Sequence, residues 1–279
     1  MIYPKINLIH PEKSDVKYEL TTFPDGEPHI KLDELDRKAR YQVYARITNP
    51  NDLFVLMQVN NILTRQGVFW ALEISYLMSQ RMDRVMTFEE AFSLEVVINI
   101  LKGFSCNSVN VYEPHSPMTI EQLGGSKFYA DIYHTEIADL LSSNYTICYP
   151  DTETKERYHD MVWTDCDENY ILLNKKRDLQ NKGHITNLEF AKGPEKAAKI
   201  IVSDDLCDAG GTFVLASAIL RKKYPDAKLD ILVRHMVNPI GIKNLSEHYT
   251  DVYFTNSYKD WDNLPSNCHL INVYDKNNI

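Results

Sequence analysis

Residues 199–213 read Lys-Ile-Ile-Val-Ser-Asp-Asp-Leu-Cys-Asp-Ala-Gly-Gly-Thr-Phe, and their pattern changes character three times within this short stretch. The apolar run at 200–202 is typical of a parallel strand that is covered on both faces. Asp204 and Asp205 follow where that strand is expected to end, which is where open α/β sheets bind their ligands. The stretch therefore predicts a strand, a ligand-binding loop and a helix.

The loop at 208–212, with Asp208, Ala209, Gly210, Gly211 and Thr212, suits a sugar phosphate. The two glycines lack Cβ atoms, so their backbone N–H groups can point toward one phosphate, and Thr212 is expected to cap the next helix. The preceding carboxylates suit ribose hydroxyls. No Gly-Lys-Ser/Thr follows, so this is not a nucleotide P-loop. A buried strand with an ordinary turn is the structural alternative, but three acids before Gly-Gly-Thr favour a binding site.

Composition restricts the class of protein. The 279 residues, 44% of them hydrophobic, suffice for one large or two modest α/β domains. A net charge of -9 and a pI near 5.5 argue against a nucleic-acid partner. The five cysteines have neither disulfide-framework nor zinc-ligand spacing. No membrane span or signal segment is recognised, so a cytoplasmic protein without a membrane partner is expected.

Strand and helix patterns alternate along the chain and predict a doubly wound α/β sheet that is mainly parallel. A hairpin is expected between the strands at 6–9 and 17–21, before a turn at 23–27. The other predicted strands lie at 29–32, 41–47, 69–76, 108–112, 145–149, 170–174, 200–202, 229–233 and 252–254, and a further element of the alternation is expected from 188 onward. Helices are predicted at 51–66, 89–102, 132–141, 155–161 and after 212.

The stretch 199–213 resembles the phosphoribosyl-binding signature shared by type I phosphoribosyltransferases and ribose-phosphate pyrophosphokinases (PRPP synthetases). Residues 74–84 resemble the ATP-binding stretch of the second family, which ends in arginine-glutamine-aspartate-arginine/lysine. Arg81, Asp83 and Arg84 match, whereas Met82 replaces the glutamine. The resemblance implies that Arg81 and Asp83 bind ATP, and Arg81 can fork onto phosphate oxygens. A solvated charged loop is the alternative.

Two further motifs occur in the family's order. Glu113-Pro114-His115-Ser116 resembles its aspartate-leucine-histidine-alanine motif, which implies Glu113 and His115 as metal ligands and His115 as an ATP contact. A polar loop is the alternative. The turn 23–27 resembles a phenylalanine-x-aspartate/asparagine-glycine-glutamate motif, which implies that Phe23, Asp25 and Glu27 hold the adenine of a neighbouring subunit. A plain hairpin turn is equally compatible with this segment. The resemblance implies a dimer or higher homo-oligomer.

The catalytic loops are also recognisable. Lys175 and Arg177 align with a lysine-x-arginine pair on the family's mobile loop, which implies that they stabilise the transition state; a solvated basic turn is the alternative. Residues 149–157 occupy the place of the pyrophosphate loop. Asp151 remains available for Mg²⁺, but Glu153 and Thr154 replace a Gly-Gly pair.

The resemblance extends from about residue 23 to residue 257. It implies two type I phosphoribosyltransferase-like domains, 1–141 with the ATP loops and 142–279 with the ribose-phosphate and catalytic loops. The implied reaction moves the β,γ-diphosphate of Mg²⁺-ATP to the anomeric hydroxyl of a ribose 5-phosphate group and releases AMP. A phosphoribosyltransferase and a catalytically silent partner subunit of the family are the alternatives.

Ala209 bears on the acceptor, because the family's signature usually has a phosphate-binding threonine there. Together with the altered pyrophosphate loop, the missing hydroxyl favours a substituted phosphate slightly, and the chain resembles bacteriophage-encoded members. Some of these act on ADP-ribose in rebuilding NAD. ADP-ribose and ribose 5-phosphate are both retained as candidates, and a phage origin would place the protein in the host cytoplasm.

Overall fold

The structure, a computed structural model, describes residues 3–123, 145–158, 170–177 and 185–273, with the backbone alone at 176–177 and 185–187. The chain divides into two units, Met1–Tyr129 and Ala130–Ile279. The predicted boundary between residues 141 and 142 and the predicted helix at 132–141 lie outside the described residues. That domain boundary stays a prediction.

The first unit contains a four-stranded parallel sheet of order β1-β4-β5-β6 and a separate antiparallel hairpin, β2-β3. Its strands are β1 (Lys5–Asn7), β2 (Tyr18–Thr22), β3 (Pro28–Leu32), β4 (Arg40–Ile47), β5 (Phe69–Leu77) and β6 (Ser108–Val111). Its helices are a 3-10 turn (Pro11–Lys13), α1 (Pro50–Gln66), α2 (Ser93–Lys102) and α3 (Pro117–Leu123).

Local sequence signals explain the limits of α1. The Asn49 side chain accepts hydrogen bonds from the N–H groups of Asn51 and Asp52, and Pro50 occupies the first turn, where its missing N–H has no cost. Gly67, with φ of 67°, adopts the left-handed conformation that ends the helix. The buried face of α1 carries Leu56, which is fully buried in the core of this unit.

The predicted hairpin of residues 6–9 with residues 17–21 is wrong. β1 instead pairs in parallel with β4, because Ile6 is a fully buried core residue beside that strand. The hairpin forms one strand later, between β2 and β3. Gly26 at the turn has φ of 90°, which favours glycine, and its N–H donates to the Phe23 carbonyl at 2.8 Å.

The second unit contains a seven-stranded sheet of order β13-β12-β11-β10-β7-β8-β9. Its strands are β7 (Thr146–Tyr149), β8 (Tyr170–Arg177), β9 (Ile185–Lys192), β10 (Lys199–Cys207), β11 (Lys228–Met236), β12 (Val252–Thr255) and β13 (Cys268–Ile271). Its helices are α4 (Thr152–Tyr158), α5 (Gly211–Lys223) and α6 (Pro239–His248).

All neighbouring strands of this sheet are parallel except β8 and β9, which form an antiparallel pair. Ile200, Ile201 and Val202 are each at most 2% exposed, so β10 is covered on both faces. The predicted α/β class with mainly parallel sheets is confirmed. Within the described ranges, no helix has the length and apolar character needed to cross a membrane.

Candidate functional site

The second unit brings acidic and basic side chains together at the carboxyl ends of β7, β8 and β10. The prediction that Asp204 and Asp205 follow the end of β10 is wrong in detail, because both lie within the strand. Pairing with β11 continues as far as Cys207, opposite Met236. The two carboxylates are therefore held by a strand ladder, and they are only 6% and 4% exposed.

Asp204 is oriented by two hydrogen bonds to the same oxygen. Its Oδ1 accepts from the Thr154 hydroxyl at 3.0 Å and from the Asp205 backbone N–H at 2.9 Å. Burial raises the pKa of Asp204 above its ordinary value, and the neighbouring charge of Asp205 raises it further, against the opposing effect of Lys175. Carboxylate oxygens accept hydrogen bonds, so the acidic pair suits a ligand that donates them.

Asp205 is held by a cation from α4. The Arg157 Nη1 atom lies 2.6 Å from Asp205 Oδ2, and both side chains are largely buried. Burial lowers the pKa of Arg157, but the Asp205 carboxylate outweighs it and raises the pKa overall. The Arg157 guanidinium is thus kept charged beside Asp205, and this contact fixes the second carboxylate in place.

A second buried arginine supports the same strand from β11. Arg234 is 1% exposed, and its Nη1 donates to the Ser203 hydroxyl at 2.6 Å and to the Asp204 carbonyl at 3.0 Å. Its guanidinium lies 3.9 Å from the centroid of the Tyr158 ring, within range of a cation–π interaction. Neither Arg157 nor Arg234 was assigned a role from the sequence. For Arg157 the sequence offers helical spacing as a signal, because Thr154, Arg157 and Tyr158 share one face of α4.

Lys175 lies in β8 beside the predicted metal ligand. Its Nζ forms an ion pair with Asp151 Oδ2. Burial raises the pKa of Asp151, but the neighbouring Lys175 lowers this pKa overall. Burial lowers the pKa of Lys175, but the carboxylates of Asp204 and Asp151 raise this pKa overall. The prediction that Lys175 and Arg177 open a loop is wrong, since β8 continues through Arg177 against β9. The predicted role of Arg177 stays a prediction.

The glycine loop turns directly from β10 into α5. Gly210 has φ of 82° and is the N-cap, and its carbonyl accepts from the N–H groups of Phe213 and Val214, each at 3.0 Å. The helix therefore starts at Gly211, so the prediction that Thr212 caps it is wrong. A Cβ atom added to Gly211 would meet no other atom within 4 Å. The loop thus presents open space at this glycine.

Two asparagines of the α6 region hold the loop from the other side, and the sequence analysis did not identify them. Asn238 Nδ2 donates to Asp208 Oδ1 at 2.9 Å, and Asn244 Nδ2 donates to the Ala209 carbonyl at 2.8 Å. Gly241 lies so close that an added Cβ would be 2.1 Å from the Asp208 carbonyl oxygen. A glycine is required there because any side chain would displace the loop.

In the first unit, the loops after β5 and β6 bring Asp83 close to His115. Arg84 donates to both Asp83 oxygens, at 2.9 and 3.1 Å. Burial raises the pKa of Asp83, but Arg84, with smaller contributions from Ser116 and His115, lowers it overall. The His115 N–H donates to Gln80 Oε1 at 3.1 Å, which joins the two loops.

The other predicted residues of this unit differ in exposure. Glu113 is 1% exposed and has a positive φ of 41°, a conformation that costs energy in a residue other than glycine. Arg81 is exposed. Phe23, Asp25 and Glu27 lie in the β2–β3 turn, with Phe23 48% exposed and the Asp25 carboxylate accepting from the Glu27 N–H at 3.1 Å. Their predicted roles in nucleotide binding stay predictions.

Curated proteins similar to this chain are ribose-phosphate pyrophosphokinases. That of Sulfolobus acidocaldarius is 29% identical over 218 residues, 75% of this chain and 72% of the relative. That of Saccharolobus solfataricus is 24% identical over 246 residues, 82% of this chain and 83% of the relative. That of Pyrococcus furiosus is 26% identical over 250 residues, 86% of this chain and 85% of the relative. These relatives support the assignment of this chain to the ribose-phosphate pyrophosphokinase family. Its members are transferases.

The family's fold is also found among solved structures. The phosphoribosylpyrophosphate synthetase of Mycobacterium smegmatis superposes with a TM-score of 0.77 at 17% identity, covering 95% of this chain and 88% of that chain. The type I phosphoribosyltransferase-like fold is thereby confirmed. No protein-family model matches the chain.

The chain departs from the pattern of the ribose-phosphate pyrophosphokinase family at Glu153 and Thr154, and the two residues have opposite environments. Glu153 is exposed, whereas Thr154 is 6% exposed and its hydroxyl contacts Asp204. The added charge therefore lies on the solvent side of α4.

The carboxylates present fit Mg²⁺ as an ion shared with a substrate. Among the residues that the structure describes, no group of three or more His, Cys, Asp or Glu side chains forms a metal cage. Mg²⁺ commonly uses one or two carboxylates together with substrate phosphates and water. Asp151, already paired with a cation, has the oxygen donors and the charge for this type of site.

Proposed function

We propose that this protein transfers the β,γ-diphosphate of ATP to the anomeric 1-hydroxyl of a ribose 5-phosphate group and releases AMP. The observation that carries this proposal is the arrangement in the second unit. A fixed pair of aspartates precedes a glycine loop, and a lysine on β8 reaches the same edge of the sheet beside Asp151. The similar proteins are ribose-phosphate pyrophosphokinases, which agrees with this arrangement.

In this proposal the acceptor sugar lies on β10 and the loop that follows. Asp204 and Asp205 accept hydrogen bonds from ribose hydroxyls, since carboxylates are strong acceptors for such donors. The 5-phosphate lies against the amides of residues 208–212, where Gly211 opens on space. Asn238 and Asn244 keep the loop in the required shape.

Lys175 and Arg177 are proposed to act on the diphosphate during transfer. Negative charge redistributes over the transferred group in the transition state, and cations positioned beforehand stabilise it. The Lys175 ammonium is kept protonated by Asp204 and Asp151, which raise its pKa. It can therefore act as a positive charge at neutral pH.

In the first unit, Arg81, Asp83 and His115 are proposed to bind the nucleotide. Glu113 and His115 of the first unit and, separately, Asp151 of the second unit are proposed as ligands of Mg²⁺. The ion would neutralise phosphate charge and make the diphosphate a better electrophile.

The β2–β3 hairpin is proposed to act from a neighbouring copy, with Phe23, Asp25 and Glu27 at its adenine. The turn is built for exposure rather than for packing in its own unit, since Phe23 is 48% exposed. We expect activity per chain to fall on dilution as the oligomer dissociates. Activity assays follow the first quantity, and sedimentation at matched concentrations follows the dissociation. A fully active monomer contradicts this assignment.

Ribose 5-phosphate is the first candidate acceptor, because the similar proteins are named for that class of substrate. ADP-ribose is the second. Ala209 supplies no hydroxyl to the phosphate, and a substituted phosphate with a single charge needs fewer donors than a terminal one. ADP-ribose stays a prediction of the sequence analysis.

The acceptors are distinguished by product analysis with Mg²⁺-ATP. We expect mass spectrometry to show AMP and a 1-diphosphorylated sugar, with a higher kcat/KM for ribose 5-phosphate than for ADP-ribose. The reverse order would establish the second candidate. Consumption of phosphoribosyl pyrophosphate with a nucleobase, without release of AMP from ATP, would indicate a phosphoribosyltransferase. No ATP turnover would indicate a silent subunit.

A further inference from the structure

Thr154 bridges two carboxylates that lie far apart in the sequence. Its backbone N–H donates to Asp151 Oδ1 at 2.7 Å, and its hydroxyl donates to Asp204 Oδ1 at 3.0 Å. The side chain is buried, with 6% of the residue exposed. One residue thus contacts both the proposed metal ligand and one of the proposed ribose ligands.

The bridge fixes one oxygen of Asp204 and directs the other. Oδ1 accepts from both Thr154 and the Asp205 backbone N–H. Among the described residues no hydrogen bond engages Oδ2 of Asp204. Two donors on one oxygen restrict rotation of the carboxylate, so Oδ2 is the atom available to a ligand hydroxyl.

The same helix face fixes the second carboxylate independently. Arg157, three residues after Thr154, holds Asp205 at 2.6 Å. A glycine at position 154 would keep the backbone bond to Asp151 but would have no hydroxyl for Asp204. The substitution that departs from the family pattern therefore adds a support to the acceptor site.

We propose that Thr154 is a positioning residue that presents Asp204 to the acceptor's hydroxyls. This inference rests on the proposed function for the identity of the acceptor. Thr154 is expected to affect acceptor binding, because Asp204 is proposed to contact the sugar in both the ground state and the transition state. A contact made equally in both states changes KM and leaves kcat nearly unchanged.

The test compares two substitutions at one position. Thr154→Val removes the hydroxyl and keeps the shape, and Thr154→Ser keeps the hydroxyl. We expect Thr154→Val to raise the KM for ribose 5-phosphate about tenfold, with kcat and the KM for ATP changed by less than about threefold. Thr154→Ser is expected to stay within about threefold of the unsubstituted protein. Thr152→Val, at an exposed threonine of the same helix, is the control for the loss of a hydroxyl.

Calorimetric titration with ribose 5-phosphate measures binding without turnover, and the unfolding midpoint shows whether each variant folds. If Thr154→Val and Thr154→Ser weaken the binding of ribose 5-phosphate equally, the inference is overturned. A decrease confined to kcat overturns it as well. Binding that is equal in Thr154→Val and the unsubstituted protein overturns the inference alone. An unsubstituted chain that binds neither ribose 5-phosphate nor ADP-ribose overturns the proposed function and this inference with it.

Discussion

Lys175→Ala is expected to lower kcat about a thousandfold while changing the KM for ATP by less than about threefold. The lysine contacts Asp151 and is held at the edge of the sheet by the β8–β9 ladder, opposite Leu188. Its charge is proposed to act on negative charge that grows during transfer, so its removal affects the transition state more than bound ATP. Arg177→Ala is expected to act in the same direction.

Lys192→Ala is the matched control, because this lysine lies on the neighbouring strand β9, is exposed and contacts the ring of Tyr170. Steady-state kinetics of both variants at saturating acceptor make the comparison. We expect the control to retain kcat within about twofold. If Lys175→Ala weakens ATP binding and leaves kcat intact, Lys175 is a binding residue and its assignment to the transition state is wrong.

Arg157→Gln is expected to lower the free energy of unfolding by about 3 kcal/mol, because it leaves a buried carboxylate without its cation. Arg157 and Asp205 have side chains only 17% and 6% exposed, and their contact is 2.6 Å. The pair is therefore largely shielded from water. Urea denaturation followed by fluorescence measures the loss.

A double-mutant cycle separates the pair from its surroundings. Asp205→Asn removes the partner charge. The double variant Arg157→Gln/Asp205→Asn is expected to lose less free energy of unfolding than the two single variants lose in sum, by about 1 kcal/mol or more. Arg65→Gln, at an exposed arginine of α1, is the surface control and is expected to cost about 0.5 kcal/mol or less. Strictly additive losses would show that Arg157 and Asp205 are not coupled.

Local features of the sequence determined much of the fold. The apolar run at 200–202, the helix pattern at 51–66 and the Asp-Gly turn at 25–26 each specify a conformation through neighbouring residues. The structure has β10, α1 and the β2–β3 turn at these places. The order of the motifs was sufficient to indicate the family that the comparisons support.

The extent and pairing of strands were decided by tertiary contacts. The polar residues after Val202 have no apolar pattern, yet β10 continues to Cys207 because β11 supplies hydrogen-bonding partners along that length. β1 pairs with β4 rather than with residues 17–21, because Ile6 is fully buried beside β4. Strand pairing depends on which surfaces can be buried together, and a single segment does not contain that information.

The composition of the site shows the same division. Asp204, Asp205 and the glycine loop were identifiable from the sequence because they are adjacent to one another and their chemistry is distinctive. Thr154 and Arg157 contact them across separations of 50 and 48 residues. The residues next to Thr154 and Arg157 in the sequence do not indicate that these two side chains contact the aspartates. Only the fold, which sets α4 against β10, brings their donors within hydrogen-bonding distance of the carboxylates, where burial makes each bond consequential.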